Sequence, residues 1–245
     1  MEQVSKPMMM PVLGELARLA AGPRGEPLPL RLVRACTVIL GADGGAITLA
    51  NTRPERMTLC VTDDVAARLE DLQDVLGEGP GAQAYLEDEI VVLHLGEDRV
   101  RLWPRFTDAA REMLGELSLH AVPIRPARNV LGVLSVYSRT RRPLSRDRQT
   151  TQLLVNAVGV ALIDDAEEMA NRDNPLADGP WSARDQIHQA TGMVIAQLGV
   201  GTEDAVAMLR AHAYAHDLTL AAISAQVLSR RLDFSTVDSE GGQSA

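Results

Sequence analysis

Three side chains rich in hydrogen-bond donors recur at helical spacing late in the sequence: Arg184, His188 and Thr191 stand at i, i+4 and i+7. On one helix face such donors can meet phosphates or unpaired bases, and the plain alternative is a solvated helix edge. His94 and His120 are imidazoles of the kind that ligate haem or metal. No Cys/His/carboxylate cluster at metal spacing accompanies them, so both read as hydrogen-bonded strand histidines, and no metal or cofactor is expected. Cys36 and Cys60 lack CxxC spacing and read as packing residues rather than redox-sensing thiols. The run Gly77-Glu78-Gly79-Pro80-Gly81 has the look of a phosphate loop, but no GK[ST] follows and no GxGxxG opens a helix after a strand. It reads as a turn whose glycines permit unusual backbone angles and whose Pro80 starts the helix GAQAYLED. Asp63-Asp64 at a strand end has no recognisable acid/base partner, and GxSxG, HExxH and kinase signatures are missing, so no enzyme is expected.

These residues are carried by 245 residues, 46% hydrophobic and 23% charged, enough for a real core in one or two domains. Twenty-four Lys+Arg against 33 Asp+Glu leave a net charge of −9, which argues against a broad basic field, so any nucleic-acid binding must be local. Two cysteines support neither a disulfide framework nor a structural zinc site and suit a reducing cytoplasm, the expected location. The N-terminal MEQVSKPMMMPV does not have the pattern of a secretory signal. The longest apolar stretch, Val158 to Ile163, is far short of the roughly 20 residues that span a bilayer, so no membrane partner is expected.

The clearest break is NRDNPLADGP at 171–180, where no helical or strand period survives. The expected organisation is a flexible N-terminus (1–11), a first domain (12–170), a linker (171–180), a second domain (181–234) and a disordered tail (235–245). In the first domain, Leu28 to Leu40 carries a helical stripe, Gly44-Gly45 opens the strand AITLAN, and Arg56 to Thr62 gives another strand. A helical period follows over Asp64 to Val75, then a strand over Glu89 to Leu95. LSLHAVPI and NVLGVLSVY, joined by RPAR, predict a neighbouring antiparallel pair, and the second is apolar on both faces, which puts it at a sheet centre. A long helix from Ser145, a plausible N-cap, to about Met169 carries Val155, Val158, Leu162 and Met169 near heptad positions. It either packs only on its own sheet or also pairs with a second subunit.

Past the linker the pattern is purely helical. Ser182 and Asp185 read as a capping box ahead of Ile187, Ala190, Val194, Ile195 and Leu198, and Gly199 and Gly201 stop the helix. Thr202 caps a second helix with Ala205, Leu209 and Ala213 on one face, ended by His216-Asp217. Thr219 starts a third with Leu220, Ile223 and Val227, and Arg230-Arg231 complement the negative end of its dipole.

The segment from Ser182 to Leu228 resembles the ANTAR domain, a three-helix RNA-binding module of bacterial transcription antiterminators. The resemblance is carried by Arg184 and Ile187, the Ala190–Gly192–Met193 cluster, Glu203-Asp204-Ala205, Leu209-Arg210, Ala213 and the Leu220/Ile223/Val227 stripe. It departs at Thr191, where the family commonly carries lysine, so one phosphate contact implied by the family is missing. The N-terminal part, roughly 12 to 170, resembles a GAF domain, a sensing or dimerising α/β module, through LGEGPGAQAYLEDEIVVL, the WPRF stretch and the AVPI…NVLGVLSVY pair. The Asn-Lys-…-Phe-…-Asp-Glu pattern of cyclic-nucleotide-binding GAF domains is not found, which disfavours that ligand class. The fold class implied is an α+β GAF-like domain, an antiparallel sheet flanked by helices, followed by an all-α three-helix ANTAR-like bundle. The function implied is a signal-responsive antitermination regulator that binds hairpins in nascent mRNA, with a possible small-molecule ligand in the GAF-like domain and a homodimer as the assembly. The RNA-binding residues expected on this reading are Arg184, His188, Thr191, Arg210, Arg230 and Arg231. Residues 182–234 hold four arginines against five carboxylates, a net −1, and aromatic residues are only 3% of the chain, which removes the stacking platforms common in single-strand binders. A protein-binding signalling adaptor without RNA contact is the alternative.

Overall fold

The computed structural model describes residues 9–22, 25–50, 56–96, 102–170, 180–216, 218 and 220–235. The chain divides between Pro175 and Leu176 into two units. The first contains α1 (Met9–Ala20), α2 (Leu28–Leu40), β1 (Gly44–Ala50), β2 (Arg56–Val61), α3 (Asp64–Leu76), α4 (Pro80–Glu87), β3 (Val91–His94), α5 (Pro104–Leu114), β4 (Ser118–Ile124), β5 (Gly132–Ser138) and α6 (Arg148–Ala170). The strands form one sheet in the order β2-β1-β5-β4-β3, with every neighbouring pair antiparallel. A strand apolar on both faces can only be central, and β5 is: Leu134 stands opposite Ile47 on one side and Val122 on the other, and every residue of the strand is buried.

Residues directly opposite one another share a face of the sheet. The face of Ile47, Leu134 and Val122 is covered by α2 and α6, with α1 packed against both helices. A side chain on Gly159 would come within 2.6 Å of Ile124, so this glycine is what lets α6 lie directly on β4. The opposite face, bearing Thr48, Ala121 and Ser135, is covered by α3, α4 and α5, and Leu69, Leu72, Leu119 and Phe106 are buried there in one apolar cluster.

The second unit contains α7 (Pro180–Leu198), α8 (Thr202–Ala215) and α9 (Leu220–Leu228). Ala190, Val194, Ala205, Leu209, Ala213, Ile223 and Val227 form its core, as the helical stripes require, and Leu232 and Phe234 beyond α9 close it. Helix α9 ends in a Schellman turn: Arg231 N–H donates to Gln226 O (2.9 Å) and Arg230 N–H to Val227 O (3.0 Å). That turn needs a left-handed residue, and here it is Arg230 (φ 56°), a residue type that adopts the conformation at a cost.

Several local expectations are corrected. Helix α1 begins at Met9, inside the segment expected to be flexible, because Val12, Leu16 and Ala20 recur four apart and are buried. Asp147, not Ser145, caps α6, its Oδ1 accepting from the N–H groups of Gln149 (3.0 Å) and Thr150 (2.9 Å). Helix α7 starts at Pro180, ahead of the proposed Ser182 cap, and the Gly201 carbonyl accepts from Ala205 N–H (3.0 Å), so Gly201 rather than Thr202 takes the cap position of α8. Most of the linker, Asp217, Thr219 and the tail beyond Ser235 lie outside the described residues.

Candidate functional site

The two units treat polar side chains differently. In the first, Glu70 of α3 is only 1% exposed and accepts from Thr48 Oγ1 (2.8 Å) and Gln73 Nε2 (3.2 Å). Gln73 turns its Oε1 to the N–H of Gly81 at 2.7 Å, and Glu78 Oε1 accepts from Phe106 N–H at 2.9 Å in the first turn of α5. The glycine-rich run is therefore the knot joining α3, α4 and α5. Gly79 (φ 145°) has no room for a side chain, since a Cβ would meet Gln73 at 2.6 Å. Ser135 Oγ points into this layer without a hydrogen-bond partner, and the gap between Ser135, Glu70, Leu69 and Tyr137 is too narrow for a water molecule. Asp63 caps α3 through Ala66 N–H (3.0 Å) and also accepts from Thr62 Oγ1 (2.5 Å) and Tyr137 Oη (3.1 Å). Burial works to raise its pKa, but the bonds from Thr62, Ala66, Tyr137 and Val65 outweigh it and hold the carboxyl below the usual range.

On the other face of the sheet, His94 Nδ1 lies 2.7 Å from Ser118 Oγ, whereas His120 Nδ1 is buried with no partner. The expectation of hydrogen-bonded strand histidines thus holds for His94 and fails at that nitrogen of His120. Burial, and then the neighbouring His94, push the His120 pKa down to about 4, so its imidazole is neutral at pH 7. His120 also borders a groove of about 400 Å³ beside β3 and the start of α6. Burial pushes both Cys36 and Cys60 up to about 12, which keeps them protonated and unreactive. Among the described residues, no group of three or more His, Cys, Asp or Glu side chains could hold a metal, and no helix is long and apolar enough to cross a membrane.

In the second unit the core is aliphatic apart from Phe234, and the rings gather at the end of α8. The His212 and His216 imidazoles stack with centroids 4.1 Å apart and 27° between planes, and His212 meets Phe234 edge-on at 5.4 Å. His216 Nδ1 donates to the His212 carbonyl at 2.9 Å, and Phe234 is tied back by its N–H to Gln197 Oε1 of α7 at 3.2 Å.

A family model described as the GAF domain matches residues 30–163, more than half of the chain. The chain belongs to the GAF domain family. A second family model, the ANTAR domain, matches residues 181–228 and covers α7, α8 and α9. Among solved structures, the chain is similar to the GAF domain of A. aeolicus nlh2 in an inactive state, at 14% identity and a TM-score of 0.42, over 66% of this chain and 98% of that one. It is also similar to the chromophore-binding domain of an unusual bacteriophytochrome from R. palustris, at 12% identity and a TM-score of 0.42, over 68% of this chain and 64% of that one. Curated proteins give no match. The GAF domain is a sensor type and the ANTAR domain an RNA-binding antitermination type, both regulatory.

The residues singled out for RNA fall into distinct environments in the ANTAR domain. His188 on α7 is exposed. Thr191 is 5% exposed and its hydroxyl donates to the Ile187 carbonyl at 2.8 Å, so it is a core residue rather than part of an outward donor face. The i, i+4, i+7 trio does share a sector, but that sector straddles the edge of the buried stripe formed by Ile187, Ala190 and Val194, and Thr191 falls inside it. Arg184 lies within α7, and its side chain is outside the described residues. Arg210 is half-buried, while Arg230 and Arg231 are exposed just past α9. Sequence reasoning missed the ring cluster. Its one signal was the histidine pair at i, i+4 in HAYAH, inconspicuous in an alanine-rich helix.

Proposed function

We propose that this chain is a signal-responsive regulator of transcription antitermination. In this reading the GAF domain biases the assembly or exposure of the ANTAR domain, which binds hairpins in nascent mRNA and prevents terminator formation in the cytoplasm. The observation that carries it is the ANTAR match across all three helices of the bundle. Arg184, His188, Arg210, Arg230 and Arg231 are the RNA contacts, and Thr191 is not among them. Arg184 lies in the second turn of α7, and its guanidinium has five donors that can bind a phosphate bidentately. A small molecule held by the GAF domain is the input. A homodimer would let one assembly hold two hairpins, and Val160 and Ile163, exposed on α6, support a second subunit there.

The test is recovery of RNA crosslinked to the full chain in cells, followed by hairpin affinity against salt for the wild type and Arg184→Ala. Recovered hairpins adjoining terminators, with weaker binding and a salt slope reduced by about one phosphate equivalent in Arg184→Ala, are the expected result. Unchanged affinity and slope would remove Arg184 from the interface. The net −1 of residues 182–234 favours a second reading, a protein-docking adaptor, which recovery of a protein partner with no RNA would select.

A further inference from the structure

Residues 182–234, with four arginines against five carboxylates, carry little net charge for phosphate neutralisation. Contacts to bases must supply the remainder of any RNA affinity, and the sequence-tolerant base contact is stacking on a ring. Phe234 is buried, and Trp181 and Tyr214 have side chains outside the described residues. Among the described side chains of the ANTAR domain, the rings that reach solvent are His188, His212 and His216. His216 stands apart from an ordinary exposed histidine because its ring is fixed. Its Nδ1 is bonded to the His212 carbonyl at 2.9 Å, its plane rests on His212 at 4.1 Å, and His212 in turn abuts the anchored Phe234. A carbonyl accepts only, so Nδ1 carries the proton and the ring orientation is set before any ligand arrives. An exposed ring already immobilised loses little further entropy when a base docks on it.

We propose that the His212–His216 ring stack at the C-terminal end of α8 is a base-stacking platform that takes one unpaired base of a hairpin loop, a purine by preference because its larger ring gains more contact. Burial, and then the neighbouring His216, lower the His212 pKa, which disfavours a charge on the ring that backs His216. The inference rests on the RNA-binding reading above and adds the group that reads the loop.

The experiment uses the full chain and the tightest-binding stem-loop selected from a library with a randomised loop, with 2-aminopurine substituted at each loop position in turn. The expected result is that one position is quenched on binding, and that His216→Ala abolishes the quench and weakens affinity roughly 5- to 150-fold without altering the salt slope. Two further variants separate stacking from helix capping. His216→Asn keeps a donor for the His212 carbonyl but has no ring and should behave like His216→Ala, whereas His216→Phe loses the donor, keeps the ring and should bind within a few-fold of the wild type. The platform is overturned if His216→Ala binds as the wild type does, if His216→Asn restores binding, or if the loss comes with a salt slope lower by about one phosphate. If the wild type binds no stem-loop at all, the RNA-binding reading falls and the platform falls with it.

Discussion

Asp63, Glu70, Gln73 and Glu78 of the GAF domain each engage a donor within the fold, whereas the ANTAR domain encloses an aliphatic core and leaves His188 and His216 at its surface. The difference follows from the architecture. A five-stranded sheet covered on both faces must place helix starts, a tight glycine turn and strand ends inside the protein, and each brings backbone donors that require acceptors. In three packed helices most backbone bonds are closed internally, so what they bury is chiefly side chain, the Phe234 N–H held by Gln197 being an exception. A conspicuous polar residue in the first domain is thus often a structural acceptor, whereas His188 and His216 in the second stand exposed at its surface.

The strongest way to break this contrast is to put a charge in the aliphatic core. Val194→Asp places a carboxylate where no donor awaits it and should cost at least about 4 kcal/mol, enough to unfold a bundle of this size while the GAF domain still melts cooperatively. Circular dichroism and calorimetry should show one transition lost and the other kept, and a wild-type profile would refute the packing of α7. In the GAF domain, Gln73→Ala strands the Gly81 N–H and removes a donor to Glu70, which should cost about 2–3 kcal/mol in urea unfolding, far more than an alanine at exposed His188. Asp63→Ala removes the cap of α3 and should cost about 1 kcal/mol at pH 7. Because the folded carboxyl titrates below its unfolded value of about 3.9, its contribution is fully present above that pH and fades as the pH falls through the folded value. Wild type and variant should therefore converge in melting temperature below about pH 4. The smallest effect has the opposite sign: Arg230→Gly relieves a left-handed arginine and should stabilise the ANTAR domain by up to about 1 kcal/mol. If its guanidinium also touches RNA, the same variant will melt higher and bind hairpins more weakly.

Regular periodicity made much of the fold legible in the sequence. Helix α2 spans Leu28–Leu40 as its stripe indicates, and the doubly apolar β5 is the sheet centre. Helix α5 escaped because only Phe106, Ala110 and Leu114 mark its period and its start at WPRF looked like a motif rather than an element. Nothing in RLEDLQDVL, where charge alternates with leucine, marks Glu70 and Gln73 as buried, and only the polar patch at Thr48 beneath α3 gives them a reason to be inside. In the ANTAR domain, spacing alone put Arg184, His188 and Thr191 together, but the width of the buried stripe, which decides that Thr191 is inside, depends on how closely three helices pack. The His212–His216–Phe234 cluster was illegible because Phe234 reaches it from beyond α9.

That reach has a practical consequence for dividing the protein. Similarity to the ANTAR domain stops at residue 228, yet Leu232 and Phe234, 9% and 3% exposed, fill the same core as Val194 and Leu209. A fragment trimmed to the region of similarity would forfeit two large apolar side chains, about 1.5–3 kcal/mol each, along with the Gln197 tether. For a bundle of three short helices this is a large share of the whole folding free energy. The unit that evolution repeats and the unit that folds therefore have different ends, and a gene fragment intended to fold must run at least through Ser235.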